Sequence, residues 1–260
     1  MILPTLVCGE IIETDSMITL LDYIQKDTFV IADIDNTLIE SECQLGSSQW
    51  GDNLGDFYTE LNRSFEEVDH LVADTWCKVQ PLIKVRCVDP QTAFVIQSLH
   101  ENGIMFMGLT ARRPSETHFT LKQLASTQIT LSANLMEDGF LESNLDTRKG
   151  ILFHQGIIFC TPMNKKSGAL KLFFTKTGHR PKRIIFIDDK LSHVRDVGQF
   201  IESLGIDYVG IRFSGADERV KSFNPQIALI QYDHLPELIS DEAAALILEH
   251  QSDCLLPSNK

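Results

Sequence analysis

Two aspartates, Asp33 and Asp35, lie two positions apart in the run Asp33-Ile34-Asp35-Asn36-Thr37, directly after the apolar stretch Thr28-Phe29-Val30-Ile31-Ala32. Residues i and i+2 of an extended chain point to the same side, so a tight loop brings both carboxylates to one small volume. Two like charges held together away from water are unfavourable unless a cation joins them or one keeps a proton. Both resolutions are catalytic opportunities. A divalent ion bound through oxygen neutralises such a pair, and Mg²⁺ suits a substrate that carries phosphate. Taken alone, the five residues also fit a turn or helix-capping pair of aspartates.

Three further sites along the chain change that balance. The run Ile104-Met105-Phe106-Met107-Gly108-Leu109 ends at Thr110, a hydroxyl suited to a phosphoryl oxygen, and Ala111-Arg112-Arg113 follow. The run Arg183-Ile184-Ile185-Phe186-Ile187 ends at two more acids, Asp188 and Asp189. Before it, Asn164-Lys165-Lys166 opens a helical stretch, which places an ammonium within reach of the same crevice. Four acids, a hydroxyl and a lysine on successive strand ends make an oxygen-rich site for a metal and a phosphate. Arg112 or Arg113 adds a contact for a phosphate or an acidic substrate group, against the ordinary alternative of a solvated surface arginine.

The elements that must position these groups follow from hydrophobic patterning. With Tyr208-Val209-Gly210-Ile211-Arg212-Phe213, the chain has four short, near-continuous apolar runs, the pattern of strands covered on both faces in a parallel sheet. Helical stretches separate them: Pro90 to Asn102, Pro114 to about Ser126, Ser167 to Thr177, and Ser192 to Leu204. Strand–helix–strand alternation predicts an α/β fold, a doubly wound, Rossmann-like parallel sheet. In such sheets ligands bind at the carboxyl ends of the strands, where all of these residues lie.

Two segments break the alternation. Residues 41–88 carry Trp50, Phe57, Tyr58, Leu61, Phe65, Val68, Leu71, Val72 and Trp76 largely at helical spacing, and are expected to form a helical cap inserted after the first motif. Residues 1–40 and 89–260 are expected to form the core. Residues 150–159 predict a small β-hairpin turning near His154-Gln155-Gly156. After Pro225 a covering helix or strand is expected, then a terminal helix from Ser240 with acids in its first turn. The cap's Trp50, Trp76 and Tyr58 would either line a pocket for an aromatic leaving group, such as phosphotyrosine in a peptide, or form the cap's own small core.

The order DIDNT, GLT, a lysine, then IIFIDD resembles the haloacid-dehalogenase (HAD) superfamily, in the D-x-D-x-T form of its phosphatases, from about Phe29 to Phe213. More closely, DIDNTLIES with LGSSQW, and FIDDK with SDEAA, resemble a bacterial branch of that superfamily. The resemblance implies that Asp33 is the nucleophile, forming an aspartyl-phosphate, and that Asp35 protonates the leaving oxygen and then deprotonates water. It implies Mg²⁺ held by Asp33, the main-chain carbonyl of Asp35 and Asp188, with Asp189 ordering a water or the lysine. It assigns the transferring phosphoryl group to Thr110 and a lysine, for which Lys166 is preferred over Lys165 and Lys171. The dehalogenase branch lacks the second Asp, and the ion-pump branch carries an Asp-Lys-Thr-Gly-Thr signature that is absent here. Many relatives place another acid four or five residues beyond the metal-binding Asp. Here those positions are Ser192 and His193, which passes the role to Asp189 and leaves Asp196 to a helix surface. The implied activity is hydrolysis of a phosphomonoester, on a phosphorylated small molecule or a phosphoprotein; a non-catalytic module that senses a phosphorylated ligand is the alternative.

Composition bounds the partners. With 36 acidic and 23 basic residues among 260, the formal net charge is −13. Nucleic-acid binding neutralises phosphates with Lys and Arg, so this balance opposes it, as it opposes an anionic membrane surface. No apolar run reaches the ~20 residues of a membrane-spanning helix. The six cysteines form no C-x-x-C pair and read as reduced singles. Together with a first segment lacking a signal-peptide pattern, these features predict a cytoplasmic protein, with export by a route that needs no cleaved signal as the alternative.

Overall fold

A computed structural model describes residues 9–142 and 150–255. The chain divides into two compact units, residues 1–39 with 87–216 and residues 40–86 with 217–260.

The first unit is built on an eight-stranded, mostly parallel sheet with flanking helices. Strands along the chain are β1 (Glu10–Thr14), β2 (Thr28–Ala32), β3 (Ile39–Ser41), β4 (Val85–Cys87), β5 (Met105–Thr110), β6 (Gly139–Glu142), β7 (Ile151–His154), β8 (Ile157–Phe159), β9 (Arg183–Asp188) and β10 (Asp207–Phe213). The large sheet runs β1-β10-β9-β2-β5-β8-β7-β6, and β3 and β4 pair separately. From β1 through β8 every neighbouring pair is parallel; β7 and β6 continue the sheet antiparallel. From β2 the chain proceeds to β5 and β8 on one side, then jumps back to β9 and β10 on the other. The β2/β9 boundary is therefore the topological switch point, the place where open α/β sheets leave a crevice.

Helices of this unit are introduced with the others in chain order: α1 (Ser48–Glu60), α2 (Phe65–Val79), α3 (Thr92–Glu101), α4 (Thr117–Ser126), α5 (Lys166–Thr177), α6 (Leu191–Ser203), α7 (Asp217–Lys221), α8 (Pro225–Asp233) and α9 (Asp241–Leu255). Every residue of β2 is buried, and Phe29 and Ile31 join Met107, Leu109, Phe173, Phe174, Ile184, Phe186, Val194 and Val197 in one core. Each such side chain contributes about 1.5–3 kcal/mol on leaving water, which is why these runs hold the sheet's centre. The expected hairpin is β7–β8, turning through Gln155 and Gly156, both at positive φ as a tight two-residue turn requires. Its second strand is no appendage, since β8 pairs parallel with β5.

Strands β1, β3, β4 and β6 went unanticipated. Strand β1 is half-exposed and only five residues long, so its EIIET pattern carries little burial signal. The other difference concerns grouping: residues 217–260, expected with the core, cluster with 40–86. The reason lies in buried main-chain polarity. The Gln44 amide donates to Asp241 Oδ1 and the Leu45 amide to Gln231 Oε1, both at 2.8 Å. An unpaired buried amide costs about 1–3 kcal/mol, so the inserted segment needs the C-terminal helices. Within this second unit Trp50 and Trp76 are nearly fully buried and stack at 5.8 Å with 22° between their planes. They form the unit's own core.

Candidate active site

Asp33 follows the buried strand β2, and its amide donates to the Ile187 carbonyl of β9 at 2.8 Å. That bond carries the pairing of the two strands one residue past their ladder and brings Asp33 beside Asp188, the last residue of β9. Both carboxylates are buried, Asp188 completely. Between them lies Lys166, the first residue of α5, with Nζ 2.7 Å from Asp33 Oδ1 and 2.6 Å from Asp188 Oδ2. Lys166 thus donates to Asp188 Oδ2 and makes a close ion pair with Asp33 Oδ1.

Asp189 completes the acid cluster: one oxygen from each of Asp33, Asp188 and Asp189 lies within 4.8 Å of the others. Its main-chain amide donates to Thr37 Oγ1 at 3.1 Å, which ties the loop after β2 to the end of β9. Asp188 Oδ1 also accepts from the Lys190 amide at 2.8 Å, just ahead of α6, where a helix N-terminus favours negative charge. His193 Nδ1 stands 3.1 Å from each oxygen of the same carboxylate.

Electrostatics separates these acids. Burial pushes Asp189 up to about 8, and the charges of Asp33 and Asp188 add to the effect. Burial likewise raises Asp33 to about 6, with the Lys166 ammonium pulling against it and Asp188 pushing with it. For Asp188 burial is outweighed by Lys166 and His193, and its carboxyl falls to about 2. Perturbation of this kind, in opposite directions within one cluster, is typical of functional sites. Nearby Cys160 is fully buried, which lifts its thiol to about 12 and keeps it from acting as a nucleophile.

With all three carboxyls ionised, the single ammonium leaves two negative charges, which one divalent cation would cancel. The donors are all oxygen, the chemistry that hard cations prefer. This set fits a hard divalent ion such as Mg²⁺.

The remaining expected residues are placed as follows. Thr110 is buried at the end of β5, with its Oγ1 accepting from the Arg112 amide at 3.0 Å. Lys165 is exposed and lies 3.8 Å from Asp196, away from the acid cluster. Asp196 does not simply face solvent, since its Oδ2 accepts from the Ser167 amide and so caps α5. Asp35 stands apart from the three acids. Its two oxygens accept from Arg112 Nε at 2.8 Å and Nη2 at 2.7 Å. Arg112 is thereby drawn away from the expected phosphate contact and is buried, while Arg113 is buried beside Glu116. Asn36 takes φ 59° and donates its amide to Ile39, closing the loop that carries Asp35. Thr37 and the two α4 residues that hold Arg112 were given no role by the sequence reading, and His193 was noted there only as standing where many relatives carry an acid; it lies in the first turn of α6, five residues past Asp188. The four cysteines whose side chains are described, Cys43, Cys77, Cys87 and Cys160, form no disulfide; Cys8 lies outside the described residues.

The chain is 27% identical over 229 residues to a protein of Chlamydia pneumoniae described as "putative outer membrane protein", covering 88% of this chain and 85% of that one. A protein of Chlamydia trachomatis with the same description is 26% identical over 231 residues, covering 89% and 86%. Among solved structures it is similar to the class C acid phosphatase from Bacillus anthracis, at 13% identity and a TM-score of 0.37, over 93% of this chain and 84% of that one. That likeness is too distant to assign chemistry. The names of the chlamydial relatives overturn the expectation of a cytoplasmic protein. Hydropathy misled here because the lack of a long apolar run bears on helical spans alone. Among the described residues no helix is long and apolar enough to cross a membrane. The match to the family described as protein of unknown function (DUF2608) spans residues 12–245, and the chain belongs to that family.

Proposed function

We propose that this protein is a Mg²⁺-dependent phosphohydrolase of HAD type that cleaves a phosphomonoester through an aspartyl-phosphate on Asp33. The observation that carries the reading is Lys166 held between Asp33 and Asp188 at a topological switch point, with Asp189 beside them. In the first step an Asp33 oxygen bonds to phosphorus, the ester P–O bond breaks, and Asp35 gives its proton to the departing oxygen. In the second, Asp35 takes a proton from water, whose oxygen attacks phosphorus and releases phosphate and Asp33. Lys166 and Thr110 bind the phosphoryl oxygens, and a preformed ammonium in a dry site offsets charge without reorganising. Mg²⁺, held by Asp33, Asp188, the Asp35 main-chain carbonyl and Asp189, would supply further charge neutralisation and align the phosphate. The substrate is a phosphorylated small molecule or phosphoprotein.

The test is release of phosphate from p-nitrophenyl phosphate with Mg²⁺ and with EDTA, alongside Asp33→Asn. Mg²⁺-dependent turnover by the wild type that vanishes in the variant is expected. A wild type that turns over neither this ester nor a broad panel of phosphomonoesters overturns the reading.

A further inference from the structure

Arg112 uses three different nitrogens on three different residues. Nε and Nη2 form a two-pronged pair with the Asp35 carboxylate, while Nη1 donates to Thr120 Oγ1 at 2.9 Å and Gln123 Oε1 at 2.7 Å. Its side chain is only 4% exposed, whereas that of Asp35 is 24% exposed. Thr120 is itself anchored, donating to the Glu116 carbonyl at 2.7 Å, and Thr120 and Gln123 lie one turn apart on α4. Arg112 thus stands behind Asp35 as a planar fork backed by a helix, and the carboxylate keeps an open side. A guanidinium is suited to this because its donors are fixed in one plane and match both oxygens at once.

We infer that Arg112 is a positioning residue for Asp35: the α4-anchored guanidinium fixes the direction in which the Asp35 carboxyl meets the departing oxygen. This rests on the proposed phosphohydrolase reading and extends it. Proton donation needs the donor within hydrogen-bond reach of the atom it serves, and a displacement of about 1 Å costs on the order of 100-fold. In the step concerned, the Asp33–phosphorus bond forms, the ester bond breaks, and the proton moves from Asp35 to the ester oxygen. The carboxylate so produced is the species that the two-pronged pair accepts. An arginine serving this role does not touch the phosphate, so its loss is felt through the leaving group.

The experiment compares kcat/KM for p-nitrophenyl phosphate, whose phenolate leaves readily without a proton, and for glycerol 2-phosphate, whose alkoxide needs one. Variants are Arg112→Met, Arg112→Lys, Gln123→Leu and Thr120→Val, each checked for its unfolding transition, with inorganic phosphate as a competitive probe. Arg112→Met is expected to lose about 100-fold on the alkyl ester and under about threefold on the aryl ester, with phosphate inhibition unchanged. Gln123→Leu, which leaves the Asp35 pair in place and removes only the backing, should show the same selectivity to a smaller degree, and it stands as the test should Arg112→Met not fold. Combining Arg112→Met with Asp35→Asn should add no further loss. Equal losses on both esters with weaker phosphate inhibition, or no loss at all, overturns the inference while leaving the phosphohydrolase reading intact. A wild type inactive on both esters overturns both.

Discussion

The Lys166 ammonium lies 2.6 Å from Asp188 Oδ2, although the two residues are 22 positions apart, because α5 begins where β9 ends. Removing one partner from a buried charge cluster leaves the others uncompensated, at about 3–5 kcal/mol. Lys166→Met should therefore lose stability of that order in EDTA and regain part of it with Mg²⁺, as read by urea unfolding. Equal stability with and without the lysine would show that the acids do not depend on it.

Asp33→Asn separates activity from stability. The variant lacks the nucleophile and should lose at least about 1,000-fold in kcat, the scale on which other nucleophile deletions fall. Yet Asp33 is held up near 6 by burial and by Asp188, so at pH 8 without metal its charge burdens the fold. Thermal melts at that pH in EDTA should show the variant no less stable than the wild type. A large drop would mean that the Lys166 pair outweighs the crowding.

The pH dependence follows in sign from the same groups. Asp33 near 6 and Asp189 near 8 keep protons in the folded state that ordinary carboxyls, near 3.8, have lost in the unfolded one. The folded protein then binds more protons across about pH 4 to 8, and metal-free stability falls as pH rises through that window. Asp188 works the other way, with stability lost only as pH falls from 3.8 toward 2. Mg²⁺ binds the ionised acids, so its stabilising effect on thermal unfolding should grow from pH 5 to pH 8. A Mg²⁺ effect that is flat over this range would separate the metal from these carboxylates.

A fourth prediction tests the seam between β10 and α6. A Cβ on Gly210 would sit 2.4 Å from Val194 Cγ1, and Val194 is fully buried. Across the same seam the Tyr208 hydroxyl donates to the Val194 carbonyl at 2.6 Å. Gly210→Ala should cost about 1–3 kcal/mol through forced repacking, measurable by denaturant unfolding. Because α6 begins beside Asp188, Mg²⁺ affinity should weaken along with stability.

What the sequence by itself determined was local. Phe29–Ala32 and Ile184–Ile187 are apolar throughout because a strand covered on both faces favours apolar side chains at every position, and that pattern is visible without knowing the partners. The loss of apolar character at Asp33, Thr110 and Asp188 marks the strand ends, which is why the site's acids and hydroxyl were legible by position. Tertiary structure alone decided the pairings. Lys165 and Lys166 are adjacent and chemically alike; the start of α5 turns one toward the acids and the other to solvent. Arg112 meets Asp35 across 77 positions, and the C-terminal helices meet the segment after β3 across nearly 200, through bonds that strand order and helix phase set together. No spacing rule along the chain carries such information, because a buried charge or amide is satisfied by whichever partner the assembled fold brings within about 3 Å.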